Sequence, residues 1–148
     1  MSDLKTQIGE VTKDAMRARD KSRVAALRMV NAELKRVEVD ERKTLTDDDV
    51  LAILNRMLKQ RNDSLSQFEQ ADREDLAAQE RFEIELIKTF MPEPLSEAEV
   101  DAVIERAIEA TGATSMKDMG QVMGLVKAEI STRADMGAVS GKVKARLA

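Results

Sequence analysis

The sequence predicts an all-α protein, with an N-terminal helical bundle over residues 1–92 and a smaller C-terminal three-helix subdomain over residues 93–148. Three observations predict it. Apolar residues recur at steps of three and four along nearly the whole chain, the spacing that lines one face of a helix. Pairs of Ser or Thr with an acidic residue three positions on stand before the apolar runs, where their side chains satisfy the free N–H groups of a first turn. No stretch alternates apolar and polar residues as a half-buried strand would.

The elements follow in order. Leu4, Ile8, Val11, Ala15 and Ala18 mark a first amphipathic helix that ends near "RDKS", and Val24, Leu27, Val30, Leu34 and Val37 mark a second. Thr46 with Asp49 forms a capping-box pattern before a long third helix, expected to run to about Ala71. A fourth spans Arg73 to Met91. Pro92 and Pro94 stop it, since proline lacks the N–H and crowds the preceding turn, and this is the expected subdomain boundary. Ser96 with Glu99 caps a fifth helix that closes near Gly112, and Ser115 with Asp118 opens a sixth. A last helix covers Gly137 to Leu147, with Val139, Val143 and Leu147 facing inward.

Composition narrows the chemistry. The chain has 148 residues, 43% hydrophobic and 35% charged, enough to form a core without disulfide or metal staples. There is no cysteine, which excludes disulfides and thiolate chemistry and leads us to expect a reducing, cytoplasmic location. The first twenty residues mix both charge signs and hold no signal-like apolar run, so a soluble, unprocessed chain is expected. Histidine, tryptophan and tyrosine are absent too, which removes the usual general base, histidine metal sites and most stacking platforms for nucleobases. "ERFEIE" at Glu80 to Glu85 offers only carboxylates where a di-iron bundle would add a histidine. No metal and no cofactor is expected.

One residue interrupts the pattern. In "MLKQRNDSLSQF", Arg61 occupies the helical step between Met57 and Leu65, inside an otherwise apolar stripe. Glu80 and Glu83 likewise interrupt the stripe through Leu76, Ile84, Ile87 and Phe90. If the third and fourth helices form an antiparallel hairpin turning near Ala71 and Asp72, Arg61 comes level with both glutamates. An unpaired buried guanidinium is too costly to survive, so the preferred reading is a structural ion pair that sets the hairpin register, with a ligand anchor as the alternative.

The C-terminal segment carries the other signals. From Ala113 to Ala148 there are six basic residues (Lys117, Lys127, Arg133, Lys142, Lys144, Arg146) and three acidic ones (Asp118, Glu129, Asp135), a net charge of +3. The chain as a whole is at −4, which leaves −7 for residues 1 to 112. Positive charge gathered at one end would attract a phosphate backbone, although a solvated helix face can carry as much. Gly120, Gly124 and Ala128 recur every four residues, as do Gly137, Gly141 and Ala145. Small residues on one face let a second backbone approach, either a neighbouring helix, which is preferred, or the sugar-phosphate chain of RNA. Met116, Met119 and Met123 are read as core filler.

A resemblance emerges from longer stretches. "LRMVNAELKRVEVDE", then "KQRNDSLSQFEQADREDLAAQERFEIELIKTFMPEPLSEAEV", then "TSMKDMGQVMGLVKAEISTRADMGAVSGKVKARL" resemble, in order and over nearly the whole chain, the GatB/YqeY family of small helical proteins. The resemblance implies that the last part is similar to the tail domain of GatB, a component of the tRNA-dependent amidotransferase. That tail helps hold the tRNA while misacylated glutamyl- or aspartyl-tRNA is converted to its amide form. The partners it implies are tRNA and an amidotransferase or aminoacyl-tRNA synthetase. It also implies the label of a carbon–nitrogen ligase using glutamine as amido-N-donor. Catalysis does not come with it, because the amidase site belongs to a different component of that enzyme and the phosphorylating body of GatB has no counterpart here. The residues agree: no glycine-rich phosphate loop follows a strand, and no nucleophile sits in a glycine-rich elbow.

Three classes of function are thereby weighed. The first is an accessory tRNA- or RNA-binding protein, recognising shape and phosphate, with Lys117, Lys127, Lys142, Lys144 and Arg146 as the candidate contacts. The second is a protein-interaction adaptor with no RNA role. The third, a free-standing amide-forming enzyme, is weakened by the missing machinery, and no catalytic residue is assigned.

Overall fold

The computed structural model describes residues 2–130 and 133–148. Among them are seven α-helices: α1 (Asp3–Arg17), α2 (Lys21–Glu41), α3 (Asp47–Gln70), α4 (Glu74–Lys88), α5 (Glu97–Thr111), α6 (Met119–Ile130) and α7 (Met136–Leu147). A single 3₁₀ turn, Met116–Asp118, leads into α6, and no strand occurs among the described residues. The chain divides into two units, Met1–Pro92 and Glu93–Ala148.

In the larger unit the apolar steps of α1 to α4 meet in one core, which includes Ile8, Leu27, Val30, Leu34, Leu54 and Ile87. Ala18, expected on the inward face of α1, is instead the exposed residue just past its end. The helix starts are chemically explicit. Thr46 Oγ1 accepts the N–H of Asp49 at 3.2 Å, and the Asp49 carboxylate accepts the N–H of Thr46 at 2.9 Å. Ser2 caps α1 by accepting the N–H of Lys5 at 3.1 Å, and its hydroxyl donates to Asp47 at the start of α3. One side chain thus caps one helix and ties it to another.

The fourth helix ends earlier than its proline stop suggests. Regular α-helix finishes at Lys88, and the N–H groups of Thr89, Phe90 and Met91 then bond three residues back, to Leu86, Ile87 and Lys88. This tightened turn shields Phe90 before Pro92 is reached. Between α3 and α4 the chain reverses through Asp72, which adopts the left-handed conformation (φ 55°), and Arg73 N–H bonds back to Phe68.

Arg61 and the two glutamates face each other across this hairpin. The Arg61 side chain is 13% exposed and that of Glu83 8%, and the guanidinium Nη1 donates to the Glu83 carboxylate. Glu83 also accepts from Gln79 Nε2 at 3.1 Å. Glu80 lies 3.6 Å from the same Nη1, a distance of charge attraction but not of a hydrogen bond, and its Oε2 and the Arg61 Nε have no hydrogen-bond partner among the described residues. The hairpin therefore carries one strong pair and one weaker neighbour.

In the smaller unit, α5, α6 and α7 enclose a second core of Val100, Val103, Ile104, Val122, Val126 and Val143, among others. Ser96 and Glu99 form the second capping box, and α5 closes at Gly112, whose φ of 64° suits a residue without a Cβ. Met119 and Met123 pack against this core as filler, but Met116 does not: it sits on the 3₁₀ turn and is exposed.

The hairpin pair can be checked by unfolding. Arg61→Ala leaves the Glu83 carboxylate buried without its counter-charge and should lower unfolding free energy by about 3–5 kcal/mol in chemical denaturation. Arg61→Met combined with Glu83→Leu should lose much less, because an apolar pair removes both desolvation costs together. Acid tests the first capping box. Asp49 is held below the usual carboxylate range, first by the Thr46 backbone N–H and then by Lys43. Its contribution is therefore complete above the unfolded carboxyl value of about 3.9 and is lost as pH falls through its lower folded value. Melting temperatures should drop below about pH 4, and Asp49→Asn should show a lower plateau near neutrality with a shallower acid decline.

Candidate nucleic-acid interface

The five candidate contacts lie in the smaller unit, where helix packing gives them different surroundings. Helix α7 begins at Asp135, whose carboxylate accepts the N–H of Gly137 at 3.1 Å. Val139, Val143 and Leu147 turn inward at steps of four, so Lys142 and Arg146 fall on the flank of the buried stripe. The opposite wall belongs to α5. Its residues Glu97, Asp101 and Glu105, also four apart, border the buried Val100, Val103 and Ile104.

These two flanks pair. Lys142 Nζ lies 2.8 Å from Asp101 and 3.4 Å from Glu97, and Arg146 is paired with Glu105. The Lys142 ammonium is held protonated above its ordinary range, chiefly by its hydrogen bond to Asp101. A groove of about 450 Å³ runs here, lined by Asp101, Ile104, Glu105, Lys142, Ala145 and Arg146. Its walls carry two carboxylates and two cations, so a phosphate entering it would have to displace an acidic partner from each base.

Lys117, Lys127 and Lys144 are different. All three are exposed, and among the described residues none has a carboxylate within ion-pair distance. Their neighbours are the small residues. Gly120, Gly124, Ala128, Gly137, Gly141 and Ala145 are all exposed. A Cβ added at Gly120, Gly124 or Gly141 would meet nothing within 4 Å, and one at Gly137 only the side chain of Asp135. The expectation that these glycines let helices pack closely is thus overturned: the apolar stripes of α6 and α7 are the valines, and the small residues turn to solvent. Lys117 and Lys127 stand three residues before Gly120 and after Gly124, and Lys144 three after Gly141, so each lysine borders a small-residue row by helical spacing.

The charge asymmetry also changes meaning. Counting from Ala113 leaves out α5, which carries most of the acid of the same unit. Over Glu93–Ala148 there are seven basic and nine acidic residues, a net −2, and the larger unit is likewise at −2. The acidic partners Glu97, Asp101 and Glu105 went unrecognised in the sequence. Their four-residue spacing was legible there, but that α7 lies against them was not.

Arg61, Glu80 and Glu83 meet one another, as described above, and the Met29 sulfur lies 4.0 Å from Nη2 of the guanidinium. Among the described residues, no group of three carboxylate, histidine or cysteine side chains is arranged to hold a metal ion, and no helix is long and apolar enough to cross a membrane.

Comparison with known proteins gives these features a setting. The family profile described as Yqey-like protein matches residues 5–147. Among similar curated proteins, one from Pyrenophora tritici-repentis named "Altered inheritance of mitochondria protein 41, mitochondrial" is 27% identical over 124 residues, covering 82% of this chain and 68% of its own length. A protein of the same name from Vanderwaltozyma polyspora is 33% identical over 114 residues, covering 72% of this chain and 62% of its own. These names correct the expected cytoplasmic location, because the relatives are named as mitochondrial proteins. The physical reason is plain: a cysteine-free composition argues against a disulfide-forming compartment but cannot tell one reducing compartment from another.

The α5–α7 pairing makes its own prediction. Because Lys142 is raised, its contribution to stability is complete below the unfolded lysine value of about 10.4 and is lost as pH rises through the folded value. Asp101→Asn should lower the melting temperature at neutral pH, and the gap to the wild type should close in strongly alkaline solution. A constant gap across that range would show that the pair contributes nothing.

Proposed function

The chain belongs to the Yqey-like protein family, and from that premise we propose that it is an accessory RNA-holding protein, with tRNA as the RNA, that grips phosphate backbone through its smaller unit and performs no chemistry itself. The observation that carries this is the pair of solvent-facing small-residue rows bordered by Lys117, Lys127 and Lys144. Each mid-helix glycine costs about 1 kcal/mol against alanine. Internal packing does not offset that cost at Gly124 or Gly141, the two that lie inside α6 and α7, which leaves the approach of an outside backbone as the compensating contact. Exposed lysines beside a surface without side chains suit a sugar-phosphate chain, and the absence of tyrosine and tryptophan suits recognition by shape over base stacking.

Support also comes from the similarity of this segment to the tRNA-holding tail of GatB. In such a role the chain would present tRNA to an amidotransferase or an aminoacyl-tRNA synthetase. Amide formation itself would stay with the partner. Purified chain given glutamine, ATP and misacylated tRNA should release no ammonia.

The glycines provide the test. Gly124→Ala with Gly141→Ala should stabilise the fold by roughly 1 kcal/mol per site while weakening tRNA binding. Lys117, Lys127 and Lys144 changed to Gln should lower the slope of log affinity against log salt by about 2–3. Changing Lys13, Lys59 and Lys88 to Gln should alter it little. If wild-type binding to bulk tRNA is no tighter than roughly 10⁻⁴ M near physiological salt, it is non-specific. A partner captured by the chain and retained after ribonuclease treatment would replace this reading with the protein adaptor.

A further inference from the structure

The larger unit has a positively charged surface that neither its core nor the proposed function accounts for. Along α2 the exposed positions Lys21, Ala25, Arg28, Ala32, Lys35 and Val39 follow steps of four and three. Seven residues are nearly two helical turns, so Lys21, Arg28 and Lys35 fall on one face, spanning about 21 Å at 1.5 Å per residue. Among the described residues none of the three has a carboxylate within ion-pair distance. The nearest acids along the chain are engaged elsewhere: Asp20 caps the helix by accepting the N–H of Arg23, Glu33 pairs with Arg36 and Arg56, Glu38 with Lys5, and Asp40 with Arg36. In a chain with a net charge of −4, this face bears cations only.

Folding does not explain them. Helix α2 has no acidic residue in its first turn and no basic residue in its last. Lys21 stands at the positive end of the helix dipole, where a cation is mildly unfavourable. Lys21 thus acts mildly against its helix, and the dipole gives Arg28 and Lys35, in the helix interior, no support. Packing does not explain the cations either, since the inward face of α2 is formed by Leu27, Val30, Leu34 and Val37.

We propose that this face of α2 is a second phosphate-contacting surface, which takes the sugar-phosphate backbone of folded RNA. The alanines between the cations keep the ridge low, so a backbone can come close, and the helix holds the three charges in a fixed row. A lipid surface fits less well. Interfacial helices insert several large apolar or aromatic side chains, whereas here Leu27, Val30, Leu34 and Val37 are in the core, and the exposed side offers one methionine, Met29, beside two alanines and a valine. The inference takes its ligand from the RNA-holding function proposed above, but none of its residues.

The test uses the full chain, bulk tRNA titrated at several salt concentrations, and vesicles containing phosphatidylserine. With Lys21, Arg28 and Lys35 changed to Glu, tRNA affinity near about 0.1 M salt should fall by roughly tenfold or more, and the salt slope by about 2–3. The melting temperature should hold or rise, because Lys21→Glu complements the dipole. The same three positions changed to Gln give a milder variant should the reversal disturb folding. Unchanged tRNA binding in both variants overturns the inference. So does vesicle binding that is lost in the variants while tRNA binding is kept. If the α2 variants bind normally and Lys117, Lys127 and Lys144 changed to Gln do not, the α2 surface falls and the proposed function stands. The opposite pattern keeps the α2 surface and removes the smaller unit as the RNA grip.

Discussion

The ion pair between Arg61 and Glu83 is the constraint around which the larger unit is organised. A guanidinium and a carboxylate with side chains 13% and 8% exposed can coexist with an apolar core only if they meet. Sliding α3 along α4 by one turn would part Arg61 from Glu83 and leave that buried carboxylate without its hydrogen-bonded partner. Apolar contacts tolerate such a slip far better, because they are not directional. The pair thereby selects one register for α3 and α4, and this in turn places Leu54, Met57, Ile87 and Phe90 in the core shared with α1 and α2.

The smaller unit applies the same rule at a more exposed site, with consequences for function. Lys142 and Arg146 border the core on α7, and Glu97, Asp101 and Glu105 border it on α5. Opposite charges on facing flanks pair, and pairing removes them from the set of cations that an outside polyanion can reach without competition. What remains are the lysines on the outer faces of α6, α7 and the turn before α6. Those faces are also where the glycines lie. The division of labour is thus set by helix rotation: valines in, ion pairs at the rim, lysines and small residues out.

Each of these features pairs a stability cost with an accessible surface. Solvent-facing glycines weaken α6 and α7, and Lys21 of α2 stands against its helix dipole. Neither improves the fold. Surfaces that lower stability while staying open to solvent are where binding is best sought, and both bear positive charge.

Much was legible in the sequence because helical periodicity and capping are local. The seven helices, the capping boxes at Thr46 and Ser96, the left-handed closure at Gly112 and the inward valines of α7 all follow from residues three or four apart. The Arg61 step stood out for the same reason, since a charge within an apolar stripe needs an opposite charge within reach. What tertiary structure alone decided was which faces meet. The charge of Ala113 to Ala148 looked free until α5 was found beside α7. The glycine rows could equally have faced a helix or water, because spacing defines a row but not its direction. Periodicity puts the α2 cations on one face, but only packing shows that the neighbouring acids are bound elsewhere. Periodicity tells which residues share a face; only packing tells what that face sees.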